Sequence, residues 1–122
     1  MFLELEALKN MPHVVFDHGV LTIEGRSIPH ESSHYFEPLI KLLSNYSLSP
    51  EPETRVNIKI DYINSDSMRS LMNVLILIEK LHANGSAAFV NWYYTSEDDV
   101  IFDAGNIFQS LLELPITLKK ME

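Results

Sequence analysis

Leu3, Leu5 and Ala7 alternate with Glu4 and Glu6, and this period of two predicts an N-terminal strand. Val14 to Phe16 and Val20 to Ile23 flank Asp17-His18-Gly19, a turn signal between two short strands, so a hairpin follows. Phe36, Leu39, Ile40 and Leu43 then recur at helical spacing behind Ser32 and Ser33, which predicts a helix from near Ser33 to about Tyr46. Pro38 must lie near its first turn or kink it. Two prolines mark residues 47 to 53 as a surface loop.

Beyond the loop, Val56, Ile58, Ile60 and Tyr62 alternate with Asn57, Lys59 and Asp61, the pattern of a strand with one buried face, ending at Asn64. Met68, Leu71, Met72, Leu75, Ile78 and His82 predict a second helix running to about Ala83, where Asn84-Gly85 offers a left-handed cap. Ala87 to Tyr94 is apolar on both faces and reads as an interior strand, with alternation sending Tyr93 to the face opposite Trp92 and Tyr94. A third helix opens at residues 95 to 99, with Ser96 and Asp99 spaced as a capping box and Ile101, Ala104, Phe108 and Leu111 on one face. Pro115 to Leu118 reads as a last strand. Helices alternating with strands in the second half imply parallel pairing, hence an α/β fold in which a mixed sheet carries helices packed against it.

Composition narrows the function. The 122 residues suit one domain spanning 1–122, and 46% hydrophobic residues are enough for a core. With no cysteine, disulfides, thiolate metal sites and cysteine nucleophiles are excluded, and the chain fits a cytoplasmic setting. The start MFLELEALKN lacks a basic segment and a continuous apolar run, so no signal peptide is expected, and the longest apolar run, Val74 to Ile78, is too short for membrane insertion. A net charge of −8 with scattered Lys and Arg makes nucleic acid a poor partner.

Several motifs invite a chemical reading. His30-Glu31-Ser32-Ser33-His34 matches HExxH, in which two histidines one helical turn apart hold zinc, so a zinc hydrolase using His30 and His34 is one hypothesis. Pro29 and a cap at Ser32 or Ser33 would leave His30 outside the helix and break that alignment. The acids Glu97, Asp98, Asp99 and Asp103 suit magnesium, but equally a helix N-terminus, where the dipole favours negative charge. Neither a glycine-rich phosphate loop nor a GxSxG motif occurs, so no cofactor and no serine hydrolase is nominated.

Asn64-Ser65-Asp66-Ser67 joins the alternating strand to the second helix. Such a junction needs a cap, and Asn, Ser or Asp would serve. The same geometry suits phosphorylation, because a phosphate adds about −1.5 to −2 charges at a helix end that tolerates anions while changing what the surface presents. Ser65 and Ser67 both offer a hydroxyl.

Several stretches resemble the SiaC family of bacterial regulatory phosphoproteins. Phe16-Asp17, Gly19 to Leu21, Ile23, Gly25-Arg26-Ser27 and Pro29-His30-Glu31 resemble the family's FDxxxGxLxIxGRSYPEN stretch. Tyr62 to Ser67 resembles YFNTSSSK, and Val90 to Tyr94, the following acids, Ala104-Gly105 and Phe108 resemble VNWYYDxDDE...EAGxDF. The family is similar to anti-sigma-factor antagonists of STAS type, so the resemblance implies a STAS-like fold and a non-enzymatic partner switch. A protein kinase would modify the threonine position, a phosphatase of PP2C type would reverse it, and the unmodified form would activate a diguanylate cyclase in cyclic-di-GMP signalling; a sigma-factor antagonist is the alternative. The threonine falls on Ser65, while Asp66 and Met68 replace two of the serines and leave Ser67 as a competitor. Arg26, Asn64, Asp66 and Tyr93 become candidate partner contacts, and His30-Glu31 falls where the family has Glu-Asn, which makes the HExxH match a coincidence.

Overall fold

A computed structural model describes residues 1–7, 11–25 and 32–121, with Ser32 and Ser33 described by their backbone. Arg26, His30 and Glu31 lie outside the described residues, as do the side chains proposed to cap the first helix. The elements run β1 (Phe2–Leu5), β2 (His13–Asp17), β3 (Val20–Gly25), α1 (Ser32–Tyr46), β4 (Glu53–Ile60), α2 (Ser65–Ala83), β5 (Ala87–Thr95), α3 (Asp99–Leu111) and β6 (Ile116–Met121). The hairpin between β2 and β3 turns on two residues, His18 at φ +48° and Gly19 at φ +89°. Two positive φ angles in a row make the tight turn that matches strand twist. Position 19 must be glycine, because a Cβ there would stand 2.9 Å from the carbonyl oxygen of Glu53.

All six strands form one sheet in the order β1-β2-β3-β4-β5-β6. The first two pairings are antiparallel and the last three parallel, the mixed sheet expected. In register, Phe16 lies opposite Leu21, Leu21 opposite Val56, Val56 opposite Val90 and Val90 opposite Ile116, so one face is a continuous apolar surface. Each parallel crossover steps one strand in the same direction. Crossovers of one hand then place every helix on the same face.

The helices fill that face. From α1, Phe36, Leu39, Leu43 and Tyr46 are buried, with the Tyr46 ring 4.9 Å from that of Phe16, and Pro38 sits on the exposed side of the second turn. Tyr35 ties the start of α1 to the first hairpin, its hydroxyl standing within hydrogen-bond reach of the carbonyls of Leu5, Glu6 and Pro12 with one proton to donate among them. Burial, with the Glu6 carboxylate beside it, pushes that hydroxyl up to about 12. From α2, Leu71, Val74, Leu75, Ile78 and Leu81 are buried, and Gly85 takes a φ of +92° just past its end, the left-handed residue expected. At 19 residues α2 is the longest helix described, yet no helix is long and apolar enough to cross a membrane.

Several details differ from expectation, and β6 runs from Ile116 to Met121 instead of ending at Leu118. β4 begins at Glu53 instead of leaving residues 47 to 53 as loop, because Thr54 is buried against the Tyr46 hydroxyl at 2.8 Å and Arg55 N–H bonds the Gly19 carbonyl at 2.9 Å. Tyr62 leaves the strand and is exposed, since β4 ends at Ile60. Asp98, not Ser96, caps α3 by accepting from Ile101 N–H at 3.0 Å. Leu111 is 63% exposed because the buried stripe of Ile101, Ala104 and Phe108 continues into Leu112.

Candidate functional site

Where β4 ends and α2 begins, Asn64 holds extended backbone angles, φ −140° and ψ −175°, and its side-chain oxygen accepts from Ser67 N–H at 3.0 Å. This is an N-cap, which satisfies an amide that the helix itself leaves without a partner. The same oxygen accepts from Ser67 Oγ at 3.1 Å. Ser67 is fully buried, its hydroxyl turned inward. Ser65, the first residue of α2, is exposed.

Two hydroxyls that compete on sequence, Ser65 favoured by the resemblance and Ser67 the alternate, are therefore unlike in space. A kinase must reach the oxygen it modifies, and only Ser65 is presented to solvent. A phosphate on Ser65 would stand at the positive end of the helix dipole, where first-turn amides favour anions. Arg69 lies one turn along, at i+4 from Ser65, and reaches Asp66 at 3.4 Å. That exposed contact is weak enough to exchange for a phosphate. Arg69 was not singled out by the sequence reading, although its spacing from Ser65 is the signal for it.

Beside the cap lies an apolar groove of about 310 Å³, lined by Ile63, Asn64, Met68, Val100, Asp103, Ala104 and Ile107. It runs between the entrance of α2 and the outer side of α3. Val100 is 64% and Ile107 45% exposed, a second apolar stripe on α3 beside the buried one. Its sequence signal was the i, i+7 spacing of Val100 and Ile107, with Leu111 four residues on. Asn64 belongs to both cap and groove, so the entrance of α2 adjoins the apolar floor.

The other candidates fall elsewhere. Asp66 shares the site, at the first turn of α2. Tyr93 projects from the far face of the sheet, where the Lys59 ammonium stands 4.7 Å from its ring centroid, while Trp92 is buried and donates to the Ile101 carbonyl at 2.8 Å. His34 is exposed in the first turn of α1, and its partner in the HExxH match, His30, lies outside the described residues. Of the acids near α3, Asp98 serves as cap and Asp103 lines the groove. Among the described residues, metal-capable side chains gather at Glu4, Glu6 and His13, with ligand atoms within 4.8 Å of one another. Glu4 and His13 already bond each other there at 2.7 Å.

The model of the SiaC family, described as regulatory phosphoproteins, matches residues 5–121. An uncharacterised protein of Pseudomonas aeruginosa (strain UCBPP-PA14) is 21% identical over 101 residues, covering 83% of this chain and 80% of the relative. SiaC of Pseudomonas aeruginosa has the same fold, with a TM-score of 0.89 at 20% identity over 99% of both chains. A structure of the diguanylate cyclase SiaD in complex with its activator SiaC, also from Pseudomonas aeruginosa, matches with a TM-score of 0.89 at 20% identity, over 98% of this chain and 99% of that one.

Proposed function

The chain belongs to the SiaC family of regulatory phosphoproteins, and from that premise we propose that it is a non-enzymatic partner switch whose unphosphorylated form binds and activates a diguanylate cyclase. Ser65 is the phosphoacceptor in this reading. The observation that carries it is the contrast at one helix entrance: Ser65 exposed at the first position of α2, Ser67 buried and bonded to the cap. A protein kinase adds the phosphate and a phosphatase of PP2C type removes it.

The groove between α2 and α3 gives the switch something to act on. An apolar strip of the cyclase would fill it, burying Val100, Ile107 and Met68. A phosphate on Ser65, one residue from the lining residue Asn64, brings about two negative charges to the rim of a contact that must shed water. Docking and phosphorylation are then mutually exclusive. Arg69 draws the phosphate back along the helix, so the charged state costs the fold little.

Purified cyclase assayed with the unmodified and the phosphorylated protein tests this reading. Activation by the unmodified form alone is expected. Equal activation by both, or by neither, overturns it.

A further inference from the structure

Because all three helices pack on one face of the sheet, no described element covers the other. Register places Glu4 opposite Val15, Val15 opposite Thr22, Thr22 opposite Asn57, Asn57 opposite Asn91 and Asn91 opposite Thr117 across this uncovered face. The Asn91 amide donates to Asn57 Oδ1 at 2.9 Å, giving the middle a neutral polar row. On either side of that row, charge is sorted by strand.

β1 to β3 contain no lysine or arginine, and alternation brings Glu4, Asp17 and Glu24 to the open face. Glu6 extends this acidic half, its carboxylate grouped with those of Glu4 and the imidazole of His13. Arg55, Lys59 and Lys119 reach the same face from β4 and β6, with Glu53 the one acid among β4 to β6. The Arg55 guanidinium lies 5.4 Å from the Phe89 ring centroid, so the basic half also carries half-buried aromatic surface on β5. Glu24 opposite Lys59 marks the border between the halves.

A partner of one sign would be drawn to one half of this face and repelled by the other. The surface that matches it carries the same halves in reverse, and a two-fold axis lying in the contact plane, parallel to the strands and between β3 and β4, generates such a surface from the face itself. That is the condition for an isologous contact. We propose that this face joins two copies of the chain, the β1–β3 acids of each copy lying over Arg55, Lys59 and Lys119 of the other. The proposal does not rest on the switch or on the cyclase.

Light scattering behind size exclusion on the full chain tests it. The expected mass is twice the 14.0 kDa of one chain at low ionic strength, falling toward one chain at about 0.5 M salt as the charges are screened. Lys59→Glu with Lys119→Glu, and separately Glu4→Lys with Glu24→Lys, should each give a monomer that melts with one cooperative transition. Mixed in equal amounts, the two variants should recover the dimer mass, because opposite halves again face each other. A monomeric wild type at protein concentrations of about 0.5 mM would overturn the proposal, since that bounds the association at millimolar or weaker. So would a dimer that survives both reversals, or variants that fail to associate when mixed. Uptake of the cyclase by a monomeric chain through these residues would assign the face to a heterologous partner, and would equally overturn it.

Discussion

The side-chain oxygen of Asn64 accepts both the backbone N–H of Ser67, at 3.0 Å, and its hydroxyl, at 3.1 Å. One atom thus starts the helix and turns Ser67 inward, leaving Ser65 outside. Replacing Asn64 by Ala should cost about 1 to 2 kcal/mol in urea unfolding, and Asn64→Ser, which keeps a capping oxygen, should recover most of it.

Gly105 stands where a Cβ would meet Trp92 Cδ1 at 2.5 Å and Leu118 Cδ2 at 2.7 Å. The indole is fixed by its bond to the Ile101 carbonyl and by the Phe108 ring 5.4 Å away, so it cannot yield cheaply. Gly105→Ala should destabilise by about 1 to 3 kcal/mol, the ordinary cost of overpacking, with a changed Trp92 emission reporting the displaced ring.

The Tyr35 hydroxyl, pushed up to about 12 by burial and Glu6, gives the fold an alkaline limit. Below its ordinary value near 10 the group is protonated in both states and adds no pH dependence. Between about 10 and 12 the unfolded chain loses this proton while the folded chain keeps it, so stability should fall as pH rises. Thermal melts of Tyr35→Phe should lose that part of the alkaline slope, while its melting temperature at pH 7 drops because the hydroxyl no longer donates into the carbonyl cluster of Leu5, Glu6 and Pro12.

Val100 and Ile107 are exposed apolar residues lining the groove beside the cap. Substituting either with Asp should change stability by no more than about 0.5 kcal/mol, as for other surface positions. Activation of the cyclase should nevertheless weaken by about tenfold or more, as when an apolar anchor of an interface is lost. A dose–response titration of cyclase activity against each variant measures this.

Much of this arrangement was legible in the sequence because it depends on local patterning. The period-two run from Val56 to Ile60, the apolar stripe of α2 and the His18-Gly19 turn each follow from short-range sterics or one-sided burial. What escaped depends on contacts between distant segments. Thr54 joins β4 only because the Tyr46 hydroxyl reaches it, and Leu111 is displaced from the buried face because Leu112 continues the stripe. At the site, the sequence offered Asn64, Ser65, Asp66 and Ser67 as one polar cluster, and composition alone could not tell which hydroxyl points outward. The groove was invisible for the same reason, since its walls come from segments some forty residues apart, at Ile63 to Met68 and Val100 to Ile107. Tyr93 was placed on the opposite sheet face by alternation, and the structure gives it a cation over its ring there, away from the α2 entrance.

Site-resolved phosphate incorporation tests the central claim most directly. Wild type, Ser65→Ala and Ser67→Ala are incubated with the cognate kinase, and intact mass and fragment spectra are read for each. One phosphate on Ser65 is predicted for the wild type and for Ser67→Ala, and none for Ser65→Ala. Phosphate on Ser67 in the wild type, or retained in Ser65→Ala, would contradict the account.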